Sequence, residues 1–171
     1  MRTFARPAAL VSRSVTKSVQ PLRTVTSLSK SIYTAKAESS GQGRNGVAKL
    51  REEGPLQFNM SHPKALGGSG EGPNPEQFFA LGYSACFLSA LQAAARGSEY
   101  KLPEDTEVHA DVSLGVPEGS TGFALAANLV VKGSFPEAEK KTVEELVQKA
   151  HENCPYSRAT RNNMQVSVSV A

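Results

Sequence analysis

Three shortages in the sequence limit what this chain can be. Only two cysteines occur, Cys86 and Cys154, which is too few for a disulfide-stabilised secreted scaffold. The longest apolar run near the N-terminus, residues 7–11, is too short for the core of a secretory signal. Residues 1–37 contain no aspartate or glutamate, although they include seven arginine and lysine residues.

The charge is therefore distributed unevenly along the chain. The whole sequence has a formal charge of +3 and residues 1–37 carry +7, so the remainder carries −4. A mildly acidic folded part argues against a nucleic-acid-binding protein. An acid-free leader rich in Arg and Ser is typical of a transit peptide, so we predict a leader over residues 1–40 that directs the protein to the mitochondrial matrix. The alternative is a disordered basic tail.

Beyond the leader, the apolar pattern predicts one α+β domain over residues 41–171. A flexible Ser/Gly stretch at 39–43 leads into it. The predicted strands cover residues 46–52, 56–61, 106–116, 123–132 and 164–170, and the predicted helices cover residues 74–97 and 136–152. Pro155 could open a further short turn. The order β-β-α-β-β-α-β predicts a β-sheet wrapped around a long buried central helix.

The apolar segment 70–97 is the most clearly marked element. Asn74 suits the N-cap, Pro75 suits the first helical position, and Gln77 completes a capping box. At the other end, Gly97 could adopt the left-handed conformation that ends many helices. Apolar side chains point in every direction between these ends, which predicts a helix buried on all sides. Polar interruptions in a short run argue against a membrane span.

On residue types alone, the roles of the cysteines stay open. Cys86 could be an inert, buried small hydrophobe, because nothing on its own helix supplies the positive charge that a reactive thiolate needs. Cys154 lies where Pro155 can start a helix, whose free N–H groups would stabilise a thiolate. A zinc site that combines both cysteines with His151 has one ligand fewer than a closed structural site.

Three segments of the chain resemble motifs of the OsmC/Ohr superfamily. Two contain the cysteines, N-P-E-Q-F-F-A-L-G-Y-S-A-C-F at 74–87 and C-P-Y-S-R-A-T-R at 154–161. The G-Y before S-A-C-F and the C-P-Y-S sequence favour the organic hydroperoxide resistance (Ohr) branch over the osmotically induced branch. G-R-N-G at 43–46 is similar to the family's N-terminal arginine motif. The resemblance covers residues 41–171 and leaves the leader as an addition.

The resemblance implies an OsmC-like fold, an intertwined homodimer and a Cys-based peroxidase that reduces organic hydroperoxides, lipid ones included, to alcohols in the oxidative stress response. Cys86 would attack the peroxide and become a sulfenic acid, and Cys154 would resolve it as a disulfide. Arg44 would stabilise the thiolate and Glu76 would hold Arg44. The family implies no bound metal or cofactor. The reductant it implies is the dihydrolipoyl group of a lipoylated protein.

The proposed site also needs a substrate pocket and a way to bring Glu76 near Cys86. Five residues are candidates for an apolar substrate pocket: Met60, Phe78, Phe79, Phe87 and Tyr156. Glu76 and Cys86 are ten residues apart, about 15 Å along a straight helix, so they cannot share a site on one unbroken helix. Either the segment around Glu76 folds back as a loop, or it serves the cysteine of a second subunit.

Two other functions are compatible with the same residues. An OsmC-type peroxidase would accept a broader range of peroxides, and relative rates on an alkyl hydroperoxide and hydrogen peroxide would distinguish it. A non-enzymatic redox sensor would oxidise its two thiols once and stop, so turnover would distinguish it.

Overall fold

The computed structural model describes residues 26–52, 54, 56–119 and 121–171. Most of the predicted leader, residues 1–25, lies outside this described part. The chain divides into two units, residues 1–31 and residues 32–171. All the helices and strands of the described residues belong to the second unit.

The second unit is an α+β fold with two three-stranded sheets and a long helix between them in sequence. The strands are β1 (Ala37–Ser40), β2 (Val47–Leu50), β3 (Gln57–Asn59), β4 (Glu107–Gly115), β5 (Ala124–Lys132) and β6 (Gln165–Val170). The helices are α1 (Pro75–Gly97), α2 (Lys140–Asn153) and α3 (Pro155–Thr160). Strands β1, β2 and β3 are antiparallel neighbours, whereas β5 pairs antiparallel with β4 and parallel with β6.

The predicted start and last residue of α1 are confirmed, and only the left-handed conformation expected at Gly97 is wrong. The Asn74 side chain accepts the Gln77 N–H at 3.0 Å, and the Gln77 side chain accepts the Asn74 N–H at 2.9 Å. Gly97 is the last helical residue, and the left-handed conformation falls on Glu99 with a φ of 54°. The Tyr100 N–H donates to the Ala95 carbonyl at 2.9 Å and closes the final turn, so Glu99 is the residue that takes the left-handed conformation.

Helix α1 is central, as predicted, but one chain buries only one of its faces. The buried stripe repeats every fourth residue and consists of Tyr83, Phe87, Leu91 and Ala95. Strand β4 and helix α2 pack against α1, whereas Leu81 stays 65% exposed. The length and hydropathy of α1 would allow it to cross a membrane, but its buried stripe is part of the domain core. The predicted burial of α1 on all sides is therefore wrong for a single chain, which leaves apolar surface of the helix uncovered.

The second half of the domain agrees with the sequence prediction. Strands β4 and β5 form the predicted hairpin, in register from Glu107 opposite Lys132 to Gly115 opposite Ala124. The predicted amphipathic helix is α2, and its Val143, Leu146, Val147 and Ala150 are buried. Pro155 opens the short helix α3, and the predicted final strand is β6.

Strand β1 corrects the prediction of a flexible stretch at 39–43. Ser39 pairs with Ala48 and Ser40 pairs with Val47 in β2. All four β1 residues are exposed, so the strand has no apolar alternation by which a sequence pattern could reveal it. The predicted domain start at residue 41 therefore falls after the first strand of this sheet.

Candidate active site

The fold brings the two cysteines together. Cys86 lies in the middle of α1, and Cys154 joins the end of α2 to the start of α3. Both are free thiols, Cys154 is fully buried, and their Sγ atoms are 3.3 Å apart. A disulfide bond is about 2.05 Å long, so the two sulfurs need to approach by only a little over 1 Å to form one. The pair is a dithiol placed for oxidation.

The surroundings of Cys86 include groups that raise the pKa of its thiol and one that lowers it. Burial raises the pKa of the Cys86 thiol most, and the hydrogen bond and charge of Cys154 raise it further. The backbone N–H of Tyr156 lowers the pKa of the same thiol. Tyr156 is the second residue of α3, where an N–H has no acceptor within the helix. A free N–H of the kind expected to stabilise a Cys154 thiolate therefore acts on Cys86 instead.

Arg44 and Glu76 form a second cluster. The Arg44 guanidinium donates from Nη1 and Nη2 to the two Glu76 oxygens at 2.8 and 2.6 Å. This hydrogen bonding holds the pKa of the Glu76 carboxyl below its ordinary value. The Glu76 side chain is 12% exposed, whereas the Arg44 side chain is 38% exposed and so keeps surface that another group can contact.

The turn that carries Arg44 needs the two glycines that begin and end the G-R-N-G segment. Gly43 has a φ of 59°, and a Cβ on Gly46 would lie 2.0 Å from the Ser40 carbonyl oxygen. Between them Asn45 accepts the His62 N–H at 2.8 Å, which ties the turn to the segment after β3. The arginine is therefore presented by a fixed 3₁₀ turn, Gly43–Asn45, and not by a loose glycine loop.

Within one chain the Arg44–Glu76 pair and Cys86 do not meet. Helix α1 runs unbroken from Pro75, so Glu76 lies in its first turn. The expectation that this segment could fold back as a loop is wrong, because the Asn74 capping box fixes it as helix. Ten helical residues separate Glu76 from Cys86 by about 15 Å along the axis.

Two of the five predicted pocket residues share a cleft. Phe79 and Tyr156 have ring centroids 5.7 Å apart and line a cleft of about 610 Å³. The other large side chains of the cleft were not predicted from the sequence, and they are Phe123, Leu125 and Met164. Phe123 is 74% exposed and directly precedes β5. An exposed aromatic residue next to a strand is the one local sign in the sequence region that could have suggested a role in binding. The cleft is mostly apolar and adjoins the residue whose N–H faces Cys86.

The other three predicted pocket residues lie elsewhere. Phe78 packs edge-on against Phe58 with ring centroids 4.9 Å apart, and Met60 follows β3. Phe87 is fully buried, with its ring 6.4 Å from that of His151. Phe87 is therefore a core residue of this chain, because its helical position belongs to the stripe that faces α2.

No group of three or more His, Cys, Asp and Glu side chains is placed to hold a metal ion in the part of the chain that the structure describes. The ligands considered for zinc do not form such a group. The His151 Nδ1 atom is buried without a hydrogen-bond partner, and burial lowers the pKa of this imidazole.

Gly82 admits the Tyr156 ring, and this contact gives a testable prediction. A Cβ on Gly82 would lie 2.7 Å from the Tyr156 hydroxyl oxygen and 3.1 Å from two ring carbons. Gly82→Ala should therefore displace the ring, disturb the N–H that faces Cys86 and slow thiol oxidation by about tenfold. The measurement is the rate of thiol loss with an alkyl hydroperoxide, beside a thermal melt.

Gly97→Ala is the matched control on the same helix. A Cβ there meets nothing within 4 Å, so the rate should not change and the melting temperature should stay level or rise. Equal rates for the two variants would contradict the role given to the Tyr156 ring.

Comparison with known proteins places this geometry in a family. The family described as OsmC-like protein matches residues 68–169. The organic hydroperoxide resistance protein of Xanthomonas axonopodis pv. citri is 40% identical over 143 residues, covering 83% of this chain and 96% of that protein. The OhrB protein of Bacillus subtilis is 40% identical over 139 residues, covering 81% and 98%.

Solved structures agree with the sequence comparison. The crystal structure of an organic hydroperoxide resistance protein from Legionella pneumophila matches with a TM-score of 0.74 and 41% identity, covering 83% of this chain and 99% of that chain. The OhrB structure from Bacillus subtilis matches with a TM-score of 0.71 and 39% identity, covering 82% and 100%. With two cysteines in contact on this fold, the chain belongs to the OsmC/Ohr family.

Proposed function

We propose that this protein is a thiol-dependent peroxidase that reduces organic hydroperoxides through Cys86 and Cys154. The observation that carries the proposal is the 3.3 Å approach of the two thiols. The apolar cleft beside Tyr156 supports an organic substrate, because a cleft of about 610 Å³ lined by Phe79, Phe123 and Met164 suits an alkyl chain. Relatives at about 40% identity are named for organic hydroperoxide resistance.

The proposed chemistry has two steps on the protein. The Cys86 thiolate attacks the distal oxygen of the hydroperoxide, the O–O bond breaks, and the alkoxide leaves as the alcohol after it takes a proton. Cys86 is then a sulfenic acid. The Cys154 sulfur attacks the Cys86 sulfur and displaces water, which leaves a disulfide. A dithiol such as the dihydrolipoyl group of a lipoylated protein returns both cysteines to thiols and becomes a disulfide itself.

The site is completed by a second subunit. The Arg44–Glu76 pair lies about 15 Å along α1 from its own Cys86, yet Cys86 needs a cation because burial raises its pKa. The face of α1 around Leu81 is uncovered in one chain, which fits a homodimer built on this helix. We infer that Arg44, still 38% exposed, faces the partner subunit's Cys86.

The experiment is a turnover assay with purified protein and dihydrolipoamide. We expect repeated reduction of an alkyl hydroperoxide, faster than reduction of hydrogen peroxide at equal concentration. Comparable rates on both would favour an OsmC-type peroxidase of broader range. A single stoichiometric oxidation without turnover would favour a redox sensor and contradict the proposal.

The location of the protein is a separate proposal. Residues 1–40 should direct a fused fluorescent protein to mitochondria, because seven basic and no acidic residues occur within residues 1–37. A variant that replaces Arg2, Arg6, Arg13 and Arg23 with Ala is the matched control and should lose the mitochondrial signal. A diffuse cytosolic signal from the unaltered leader would contradict the targeting prediction.

A further inference from the structure

A buried cluster of hydroxyl groups joins α1 to α3 beside the two cysteines. The Tyr83 hydroxyl lies 3.0 Å from Ser157 Oγ and 3.3 Å from Thr160 Oγ1. Tyr83 and Ser157 are fully buried and Thr160 is 7% exposed. Buried hydroxyl groups need partners, so these three side chains hold one another in place.

One arrangement of protons satisfies every hydroxyl of the cluster. Thr160 Oγ1 donates to the Tyr156 carbonyl at 2.9 Å, so its oxygen is free to accept the Tyr83 hydroxyl. Ser157 Oγ then donates to the Tyr83 oxygen. The resulting chain of hydrogen bonds runs from Ser157 through Tyr83 and Thr160 to the Tyr156 backbone, and each bond polarises the next.

This chain ends at the backbone carbonyl of Tyr156, the same residue whose N–H faces Cys86. Tyr156 supplies the N–H that faces Cys86, and Cys154 lies two residues before it. Tyr83 lies three residues before Cys86, so both side chains share one side of α1. The Tyr83 ring also packs against Tyr156, with ring centroids 5.7 Å apart. The same pair of elements therefore carries the hydroxyl cluster and both sulfurs.

We propose that Tyr83 is a positioning residue for the thiol chemistry. Its hydroxyl, through Ser157 and Thr160, fixes the start of α3 against α1 and so sets the distance of Cys154 and of the Tyr156 N–H from Cys86. Tyr83 does not touch the reacting atoms. The inference deepens the proposed function and rests on it for the meaning of the dithiol.

Tyr83→Phe tests the role, because it keeps the ring and removes only the hydroxyl. In a Cys154→Ser background, where Cys86 is the one thiol, iodoacetamide alkylation is followed across pH. We expect an apparent pKa above that of the parent and about tenfold slower alkylation at pH 7, since the Tyr156 N–H is no longer held at the sulfur. With both cysteines present, closure of the disulfide after one equivalent of hydroperoxide should also slow.

Tyr100→Phe is the matched control. It removes another tyrosine hydroxyl hydrogen bond, that of Tyr100 to Glu139 at 2.6 Å, beyond the far end of α1. We expect it to leave the alkylation profile unchanged even if it lowers the melting temperature. A loss of stability alone therefore cannot imitate the expected result.

Two variants of Thr160 test the same positioning role if Tyr83→Phe fails to fold. Thr160→Ser keeps the hydroxyl and should behave like the parent, whereas Thr160→Val removes it and should behave like Tyr83→Phe. If Tyr83→Phe and Thr160→Val both retain the parent's alkylation profile and rate of disulfide closure, the positioning role is overturned. Alkylation needs no peroxide, so the alkylation profiles of the Tyr83 and Thr160 variants test the positioning role even if the wild-type protein shows no turnover. That absence of turnover would overturn only the proposed function.

Discussion

Cys86→Ser is expected to abolish hydroperoxide reduction, with a loss of about 1,000-fold or more. A serine hydroxyl is not ionised at neutral pH and does not form a counterpart of the sulfenic acid. The substitution is nearly isosteric at a half-buried site, so the fold should persist. The measurement is the initial rate with an alkyl hydroperoxide, beside a thermal melt that confirms folding.

Cys154→Ser separates the two roles. This variant should consume one hydroperoxide per chain, accumulate the Cys86 sulfenic acid and then stop, because nothing resolves it. A dimedone adduct at Cys86, located by peptide mass spectrometry, would record this state. The assignment fails if Cys86→Ser reacts at the wild-type rate or if the Cys154→Ser variant forms no adduct at Cys86 after treatment with hydroperoxide.

Arg44→Lys is expected to slow the peroxide step by about 100-fold, and Arg44→Ala by at least as much. Lysine keeps the charge but loses the planar fork that binds both Glu76 oxygens while facing a sulfur. The melting temperature should change little, because an ion pair in which Arg44 is 38% exposed adds little stability. Stopped-flow measurement of sulfenic acid formation gives the rate.

Mixed dimers show which subunit's cysteine Arg44 serves. Neither Arg44→Ala nor Cys86→Ser should be active alone. If the site spans two subunits, a dimer of one chain of each kind contains one intact site, so an equal mixture refolded together should recover about a quarter of wild-type activity. An absence of recovered activity would contradict the shared site. The Cys86→Ser chain supplies the intact Arg44, so adding Glu76→Gln to that chain should lower the recovered activity.

The parts of the fold that the sequence predicted are those with local signals. The capping box at Asn74 and Gln77 involves neighbours in sequence, and the alternation in β4 and β5 marks one face of a hairpin. Strand β1 has four exposed residues and therefore no pattern. The one-sided burial of α1 depends on which elements pack against it, and an apolar helix alone does not reveal that.

Less of the candidate site than of the fold could be predicted from residue types. Nothing near Cys86 or Cys154 in the sequence encodes their 3.3 Å contact, because it depends on α2 and α3 packing against α1. The resemblance to the family supplied that pairing, and the Arg44–Glu76 pair with it. The Tyr156 N–H was expected at Cys154 because the two are neighbours in sequence, whereas the orientation of α3 directs it to Cys86. Phe123 and Met164, which directly precede β5 and β6, are far from Phe79 in sequence, and only the fold brings them to the cleft.

The most direct test of the peroxidase chemistry is the stoichiometry of a single turnover. Fully reduced protein, mixed with one equivalent of an alkyl hydroperoxide and no external thiol, should lose both of its thiols and release one alcohol. Peptide mapping should then find Cys86 linked to Cys154 within one chain. Two free thiols persisting beside unreacted hydroperoxide, or a link between cysteines of different chains, would contradict the proposed mechanism.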